Sequence, residues 1–131
     1  MPYVFSFQMF SAIKNNINNF DIIHIHGLYR FPQFVASYYA RKYQIPYIVR
    51  PHGSLAPYLY NKNPRKIRKR IYEFFIEFRN LNNASFIQYS TMNEMLSVKP
   101  LRINSKYFIS PNGINYYKYE KLPLKGRFRK K

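Results

Sequence analysis

Residues 46–55 of the chain have the sequence PYIVRPHGSL, in which a short apolar segment leads directly into a histidine and a glycine. Residues 45–49 predict a strand, and the loop after the carboxyl end of a parallel strand is where open α/β sheets bind ligands. His52 can donate or accept a hydrogen bond and can change charge near neutral pH. Gly53 lacks a Cβ, so a ligand or a second loop can approach its backbone closely. The alternative is an ordinary turn in which His52 caps backbone groups.

Short apolar segments alternate along the chain with stretches of helical spacing. Because strands that alternate with helices form βαβ units, this order predicts an α/β fold with a four-stranded parallel sheet and flanking helices. The predicted helices cover 4–19, 31–44 and 64–80, with a short one after Thr91, and the predicted strands cover 21–27, 45–49, 84–89 and 106–110. The apolar helix faces expected to pack on the core include Phe34, Val35, Tyr38, Tyr39 and Tyr43, and Ile67, Ile71, Phe74, Phe75, Phe78 and Leu81.

The composition limits the classes of protein to which the chain can belong. It has 131 residues, of which 47% are hydrophobic, and it contains no cysteine, so disulfides and thiolate metal sites are excluded. No apolar run approaches the roughly 20 residues that span a bilayer, and no secretory signal is evident at the amino terminus. The net charge of +17 favours polyanionic partners such as nucleic acid, anionic lipid or phosphorylated substrates. The expected location is the cytoplasm, with peripheral contact at the inner face of the membrane left open.

Residues 21–27, DIIHIHG, predict the first strand of the chain, which ends in a glycine. Side chains alternate across a strand, so His24 and His26 should share one face. His26 and Gly27 lie at the ligand end and are candidate site residues. His24 is interpreted as a hydrogen-bonded core histidine, with a site role as the alternative. With three histidines and five acidic residues in the chain, no metal site is expected.

The helix predicted from Pro64 is strongly basic. Asn63 is a suitable N-cap and Pro64 suits the first helical position. Its cations are Arg65, Lys66, Arg68, Lys69 and Arg70, with no acid among them. They predict contact with an anionic membrane surface, against the alternative of a solvated helix face.

Two further segments follow the last two strands. Thr91 and Glu94 have capping-box spacing and predict a helix start. Residues 111–113, Pro111, Asn112 and Gly113, predict a turn after the strand at 106–110.

The segments 21–27, 50–55, 90–94 and 110–114 resemble, in order and spacing, the N-terminal domain of glycosyltransferase family 4. That family has the GT-B architecture, in which two Rossmann-like domains face each other across a cleft. The resemblance implies a partial Rossmann-like domain over residues 1–114 and a basic linker over 115–131 that leads to a second domain. It implies a chain truncated at both ends and inactive alone, because the second domain holds the donor.

The resemblance also implies an activity and a set of site residues. The activity is retaining transfer of a sugar, of the hexosyltransferase type, from a nucleotide-diphosphate sugar to a glycan or lipid-linked acceptor, as in envelope polysaccharide biosynthesis. His52 would lie near the transferred sugar, His26 and Gly27 on the acceptor side, and Gly53 and Ser54 against the substrate. The turn at Pro111, Asn112 and Gly113 would mark the passage to the second domain, although Asn115 stands where the family usually has Asp. No cofactor is expected on this chain itself.

Two other interpretations remain open. A basic nucleic-acid-binding module would explain the charge, and the abundant Tyr, Phe and Arg could stack on bases. Against it, no known nucleic-acid motif is present, and the aromatic residues fall mostly on faces expected to be buried. The other interpretation is a truncated gene product without a function of its own.

Overall fold

The computed structural model describes residues 6–56, 73–118 and 120. Its helices and strands alternate as predicted. The elements are α1 (Phe7–Asn16), β1 (Ile23–His26), α2 (Phe31–Lys42), β2 (Tyr47–Arg50), a π-helical turn (Glu73–Glu77) continuing into α3 (Phe78–Asn82), β3 (Phe86–Tyr89), α4 (Met92–Val98) and β4 (Tyr107–Ile109), with single 3₁₀ turns at Ile17–Asn19, Lys99–Leu101 and Tyr116–Lys118. Residues 1–5, 57–72, 119 and 121–131 lie outside the described part of the chain, and so do the predicted helix start at 63–64, the basic cluster at 65–70 and most of the proposed linker.

Local sequence signals fix where the helices begin and end. The Ser6 hydroxyl accepts a hydrogen bond from the Met9 N–H and so caps α1. A proline lies in the first turn of α2, where its missing N–H is not needed. Gln44 then adopts a left-handed backbone (φ 60°) just beyond the end of α2. Thr91 caps α4, as its spacing to Glu94 predicts.

The four strands form one parallel sheet in the order β1-β2-β3-β4, which confirms the predicted α/β, Rossmann-like architecture. Each strand lies beside the one before it, and parallel crossovers are almost always right-handed. Successive connections therefore return over the same face of the sheet. In agreement, α2 packs on β1 and contacts both α1 and α3.

The core lies between this face of the sheet and the helices. Ile25, Val49 and Ile87 are aligned across β1, β2 and β3, and all three are buried. They form one apolar cluster with Val35 of α2 and Leu81 of α3. Burial of an aliphatic side chain of this size stabilises the fold by about 1.5–3 kcal/mol, so this row is the main source of cohesion between the strands and helices.

The opposite face of the sheet is partly exposed, although Arg50 and Gln88 on this face are buried. His24 on β1 is exposed, and so are Phe86 on β3 (40%) and Phe108 on β4 (37%). The prediction that His24 and His26 share a face is confirmed. The interpretation of His24 as a core histidine is wrong, because no helix of the described residues covers this side of β1.

Two predicted core positions are also wrong. Tyr38 is 43% exposed and Phe75 is 67% exposed, whereas Glu77 and Asn80 are buried. The π-helical turn at Glu73–Glu77 adds a residue to the turn and rotates the following side chains relative to a regular helix. A face computed from 3.6-residue spacing therefore misses the residues that point inward.

The buried polar groups of this helix are hydrogen-bonded. Glu77 Oε1 accepts from the Tyr29 N–H at 2.9 Å. The Asn80 side chain accepts from Arg41, and its backbone carbonyl accepts from the buried Tyr47 hydroxyl at 2.6 Å. These bonds explain how Glu77 and Asn80 can be buried although the apolar periodicity did not place them in the core.

Several aromatic residues are exposed rather than buried. Tyr39, Tyr47 and Tyr89 belong to the core, but Tyr116 and Tyr117 are 74% and 84% exposed. The expectation that aromatic residues are mostly buried therefore fails for part of the described chain.

Among the residues that the structure describes, no helix is long and apolar enough to cross a membrane.

A histidine pair at the carboxyl end of the sheet

The parallel arrangement brings the loops after all four strands to one edge of the sheet. Gly27 follows β1, and its N–H donates to the Arg50 carbonyl at the end of β2 at 2.8 Å. The Gln33 side chain holds the same corner, donating to the His26 carbonyl at 2.9 Å. The left-handed backbone of Gly27 (φ +78°) favours glycine, whereas space does not require it, because a Cβ would make only an ordinary contact of 3.6 Å with Gln33 Nε2. The ends of β1 and β2 are thus fixed against each other.

This corner places His26 and His52 in direct contact. His26 Nδ1 lies 2.9 Å from His52 Nε2, and the two rings stack with centroids 5.2 Å apart. His24 extends the array, with its ring centroid 4.3 Å from that of His26. A hydrogen bond between two imidazoles needs one donor and one acceptor, so at least one of the two bonded rings is neutral. The two histidines that the sequence assigned to the site are therefore one hydrogen-bonded unit.

The loop that carries His52 has an unusual backbone. His52 (φ 53°) and Gly53 (φ 72°) are successive left-handed residues. A left-handed conformation costs a residue with a Cβ about 1–2 kcal/mol, so other contacts must hold His52 in this conformation. Ser54 continues the turn, its N–H donating to the Pro51 carbonyl at 3.2 Å.

Glu94 is the residue that contacts this loop from α4. Its Oε1 accepts the Gly53 N–H at 2.7 Å, and its Oε2 accepts the Ser90 N–H at 2.7 Å. The Thr91 hydroxyl accepts the Glu94 N–H at 3.1 Å. The capping prediction is thus confirmed for Thr91, but the carboxylate bonds Ser90 and a distant loop rather than the Thr91 N–H. Sequence reasoning missed this role, since the spacing signalled only a local bond.

Arg50 connects the ends of three strands beneath the histidines. It is only 8% exposed. Its Nη2 donates to Asn112 Oδ1 at 2.6 Å and to Ser90 Oγ at 3.1 Å, with a longer contact of 3.5 Å to the Ser110 carbonyl. Its Nε is buried and has no hydrogen-bond partner among the described residues. Sequence reasoning gave Arg50 no role, and its buried position at a strand end was not evident from spacing.

These neighbours determine the charge of the histidines. Partial burial of the ring lowers the pKa of His52 below its ordinary value, and the positive charges of Arg50 and His26 lower it further, while Glu94 acts in the opposite direction. Partial burial also lowers the pKa of His24, with His26 and Arg50 adding to the effect and a hydrogen bond with Gln88 opposing it. His52 is consequently neutral at neutral pH.

The predicted site residues divide into three groups. His26, Gly27, His52 and Gly53 come together at one corner of the sheet. Asn112 joins them through Arg50. Pro111, Asn112 and Gly113 are all exposed, Gly113 does not use a left-handed backbone, and the segment forms no hydrogen-bonded turn. Residues 65–70 lie outside the described residues. No group of three or more His, Asp or Glu side chains in the described part could hold a metal ion.

The fold is a Rossmann-like α/β domain with a cluster of polar side chains at the carboxyl edge of a parallel sheet, the edge where such sheets bind ligands. The family described as Glycosyltransferase Family 4 matches residues 1–116. The chain therefore belongs to glycosyltransferase family 4. No curated protein and no solved structure matches it significantly.

Proposed function

We propose that this chain is the acceptor-side domain of a retaining glycosyltransferase of the hexosyltransferase type. The contact between His26 and His52 supports this most strongly, because it puts a polar unit at the ligand edge of a family 4 domain. The donor is a nucleotide-diphosphate sugar held by a second domain across the cleft. The acceptor is a glycan or a lipid-linked glycan. The chain alone is expected to give no turnover.

The histidine pair suits the recognition of sugar hydroxyls. If His26 Nδ1–H donates to His52 Nε2, then His52 Nδ1–H remains a donor and His26 Nε2 an acceptor. If the proton lies on His52 Nε2 instead, these outer roles exchange. In either neutral arrangement the pair presents one donor and one acceptor outward. A hydroxyl both donates and accepts, so one sugar can satisfy both rings.

The lowered pKa of His52 fits a role as a neutral hydrogen-bonding group. A neutral imidazole beside the anomeric carbon does not oppose the positive charge that develops on the sugar in an oxocarbenium-like transition state. Stabilisation of the departing diphosphate requires positioned positive groups. In this proposal those groups lie on the second domain, and His52 orients the sugar.

Sugar transfer by the longer enzyme that joins this chain to a donor-binding domain tests the proposal. His52→Ala should lower kcat/KM about twofold to tenfold, as expected for loss of one neutral hydrogen bond worth about 0.5–1.5 kcal/mol in the transition state. His24→Ala is the matched comparison. It removes an exposed histidine that lies beside His26 on the same face of β1, but it leaves the His26–His52 bond in place. We expect a smaller loss for it. Unchanged transfer after His52→Ala would refute the role of His52.

Contact with an anionic membrane surface is a second part of the proposal. It is supported by the net charge of +17 and by the cations at 65–70. Sedimentation with vesicles separates charge from general adhesion. Binding should occur with phosphatidylglycerol vesicles, weaken with salt, and be absent with phosphatidylcholine alone. Equal binding to both kinds of vesicle would contradict an electrostatic contact.

A further inference from the structure

We infer that Glu94 is a positioning residue for His52, because its carboxylate holds the left-handed loop of β2 against the end of β3. The inference concerns the same site as the proposed function. It rests on that function only for the claim that the orientation of His52 matters in sugar transfer. The geometric part can be measured without any transfer assay.

Each carboxylate oxygen of Glu94 contacts a different loop. Oε1 accepts from Gly53 and Oε2 accepts from Ser90, both at 2.7 Å. This length is typical of strong, charge-assisted hydrogen bonds. Gly53 and Glu94 are 41 residues apart in the chain, so the contact depends on the tertiary fold. Glu94 thereby joins the loop after β2 to the loop after β3.

The loop needs such a partner because its conformation is unfavourable for the chain alone. His52 adopts φ 53° despite its Cβ. The bond to the next N–H, that of Gly53, fixes the peptide between the two residues. Without it, His52 can relax toward ordinary backbone angles, which would move its ring away from His26. The 2.9 Å contact between the imidazoles therefore depends on Glu94.

The charges around the His52 ring give the inference an electrostatic signature. The facing groups are Arg50 on β2, His26 on β1 and Glu94 on α4, with His24 next to His26. Glu94 is the one acid in this set, and it opposes the effect of Arg50. Removing its charge should therefore lower the pKa of His52. If Glu94 were only a structural support whose charge did not act on the ring, the pKa of His52 would stay unchanged.

The test is a pH titration of the imidazole signals by NMR on the full chain, together with the amide signals of Gly53 and Ser90. Glu94→Gln keeps the size of the side chain but removes its charge and one acceptor. We expect it to lower the pKa of His52 and to shift at least one of the two amide protons upfield. Glu94→Asp keeps the charge but is one methylene shorter, and should restore the pKa in part without both amide bonds.

Two control variants separate positioning from other effects. Thr91→Ala weakens the cap of the same helix but retains the carboxylate, so His52 should titrate as in the wild type. Asp21→Asn changes the net charge equally at an exposed residue before β1, away from the site, and should also leave His52 unchanged. The inference is overturned if Glu94→Gln leaves the His52 titration and both amides unaltered, or if Thr91→Ala reproduces its effects. Unchanged transfer by Glu94→Gln despite an altered His52 titration would instead count against the proposed role of His52 in sugar transfer, while the positioning contact would stand.

Discussion

Removal of the Arg50 guanidinium should release the ends of β2, β3 and β4 from one another. The variant Arg50→Met keeps a similar side-chain length but removes the donors to Asn112 and Ser90. Hydrogen bonds to a charged group are worth about 1.5–3 kcal/mol each. Relief of the buried, unpartnered Nε returns about 1–3 kcal/mol. We therefore expect a net loss of about 2 kcal/mol in the free energy of unfolding.

This loss can be measured by urea unfolding followed by circular dichroism. With a denaturant slope of about 2 kcal/mol per molar, the unfolding midpoint should fall by about 1 M. Arg79→Met is the matched control, because Arg79 is exposed and its substitution should change stability by about 0.5 kcal/mol at most. If the two variants share the same midpoint, the connection of the strand ends through Arg50 does not stabilise the fold.

A second variant separates the charge of Arg50 from its hydrogen bonds. Arg50→Lys keeps the positive charge, but its side chain is one bond shorter, so its ammonium should not reach both Asn112 and Ser90, to which Nη2 of Arg50 donates. It should lose stability much as Arg50→Met does, yet keep the pKa of His52 low. Arg50→Met should raise that pKa, because the positive charge of Arg50 lowers it in the wild type. The NMR titration of His52 in both variants checks this, and an equal pKa in both would contradict the electrostatic part of the reasoning.

Further outcomes follow from single residues. Gly53→Ala should lower the free energy of unfolding by about 1–2 kcal/mol, because its φ is +72°, although an added Cβ would meet no neighbour. Gly113→Ala should be neutral or slightly stabilising. Thermal melts of both variants test this, and equal melting points would contradict it. Tyr47→Phe should lower the free energy of unfolding by about 1–2 kcal/mol, because the buried Asn80 carbonyl loses its donor. Tyr117→Phe, at an exposed residue, should not change it. The urea midpoints of the two variants test this difference. The pKa of His52 is lowered in the folded chain from 6.5. The unfolded chain therefore binds more protons below that pH, and stability should fall as the pH is lowered. His52→Ala should reduce the fall in urea midpoint between about pH 7.5 and about pH 5, and an undiminished fall would assign it to other groups.

Much of the fold could be predicted from local patterns. The alternation of residues 21–27 gave both the strand and the shared face of His24 and His26, because side-chain direction in a strand follows position alone. Thr91 predicted the start of α4 for a similar reason, since a cap acts over three residues. The failure at Phe75 arose at the π-helical turn, where regular 3.6-residue spacing does not apply, whereas nothing in the regular helix α2 explains the exposure of Tyr38.

The candidate site was only half predictable. His26 and His52 stood out because histidines next to strand ends are chemically conspicuous. Arg50 and Glu94 did not, because a strand-end arginine and a capping glutamate have ordinary local explanations. Their roles depend on partners far away in the chain, 62 residues for Arg50 with Asn112 and 41 residues for Glu94 with Gly53.

The class of this protein follows from its sequence alone: it is a parallel α/β domain of glycosyltransferase family 4 with histidines at or just beyond the ends of two strands. Periodicity, helix caps and motif spacing are local features, so they can be recognised without knowledge of the fold. Only in the folded chain does the Glu94 carboxylate accept the Gly53 N–H beside the left-handed residues His52 and Gly53, and only there does His52 bond His26. Those contacts exist because parallel strands bring the carboxyl ends of separate segments to one edge of the sheet, where distances are set by packing.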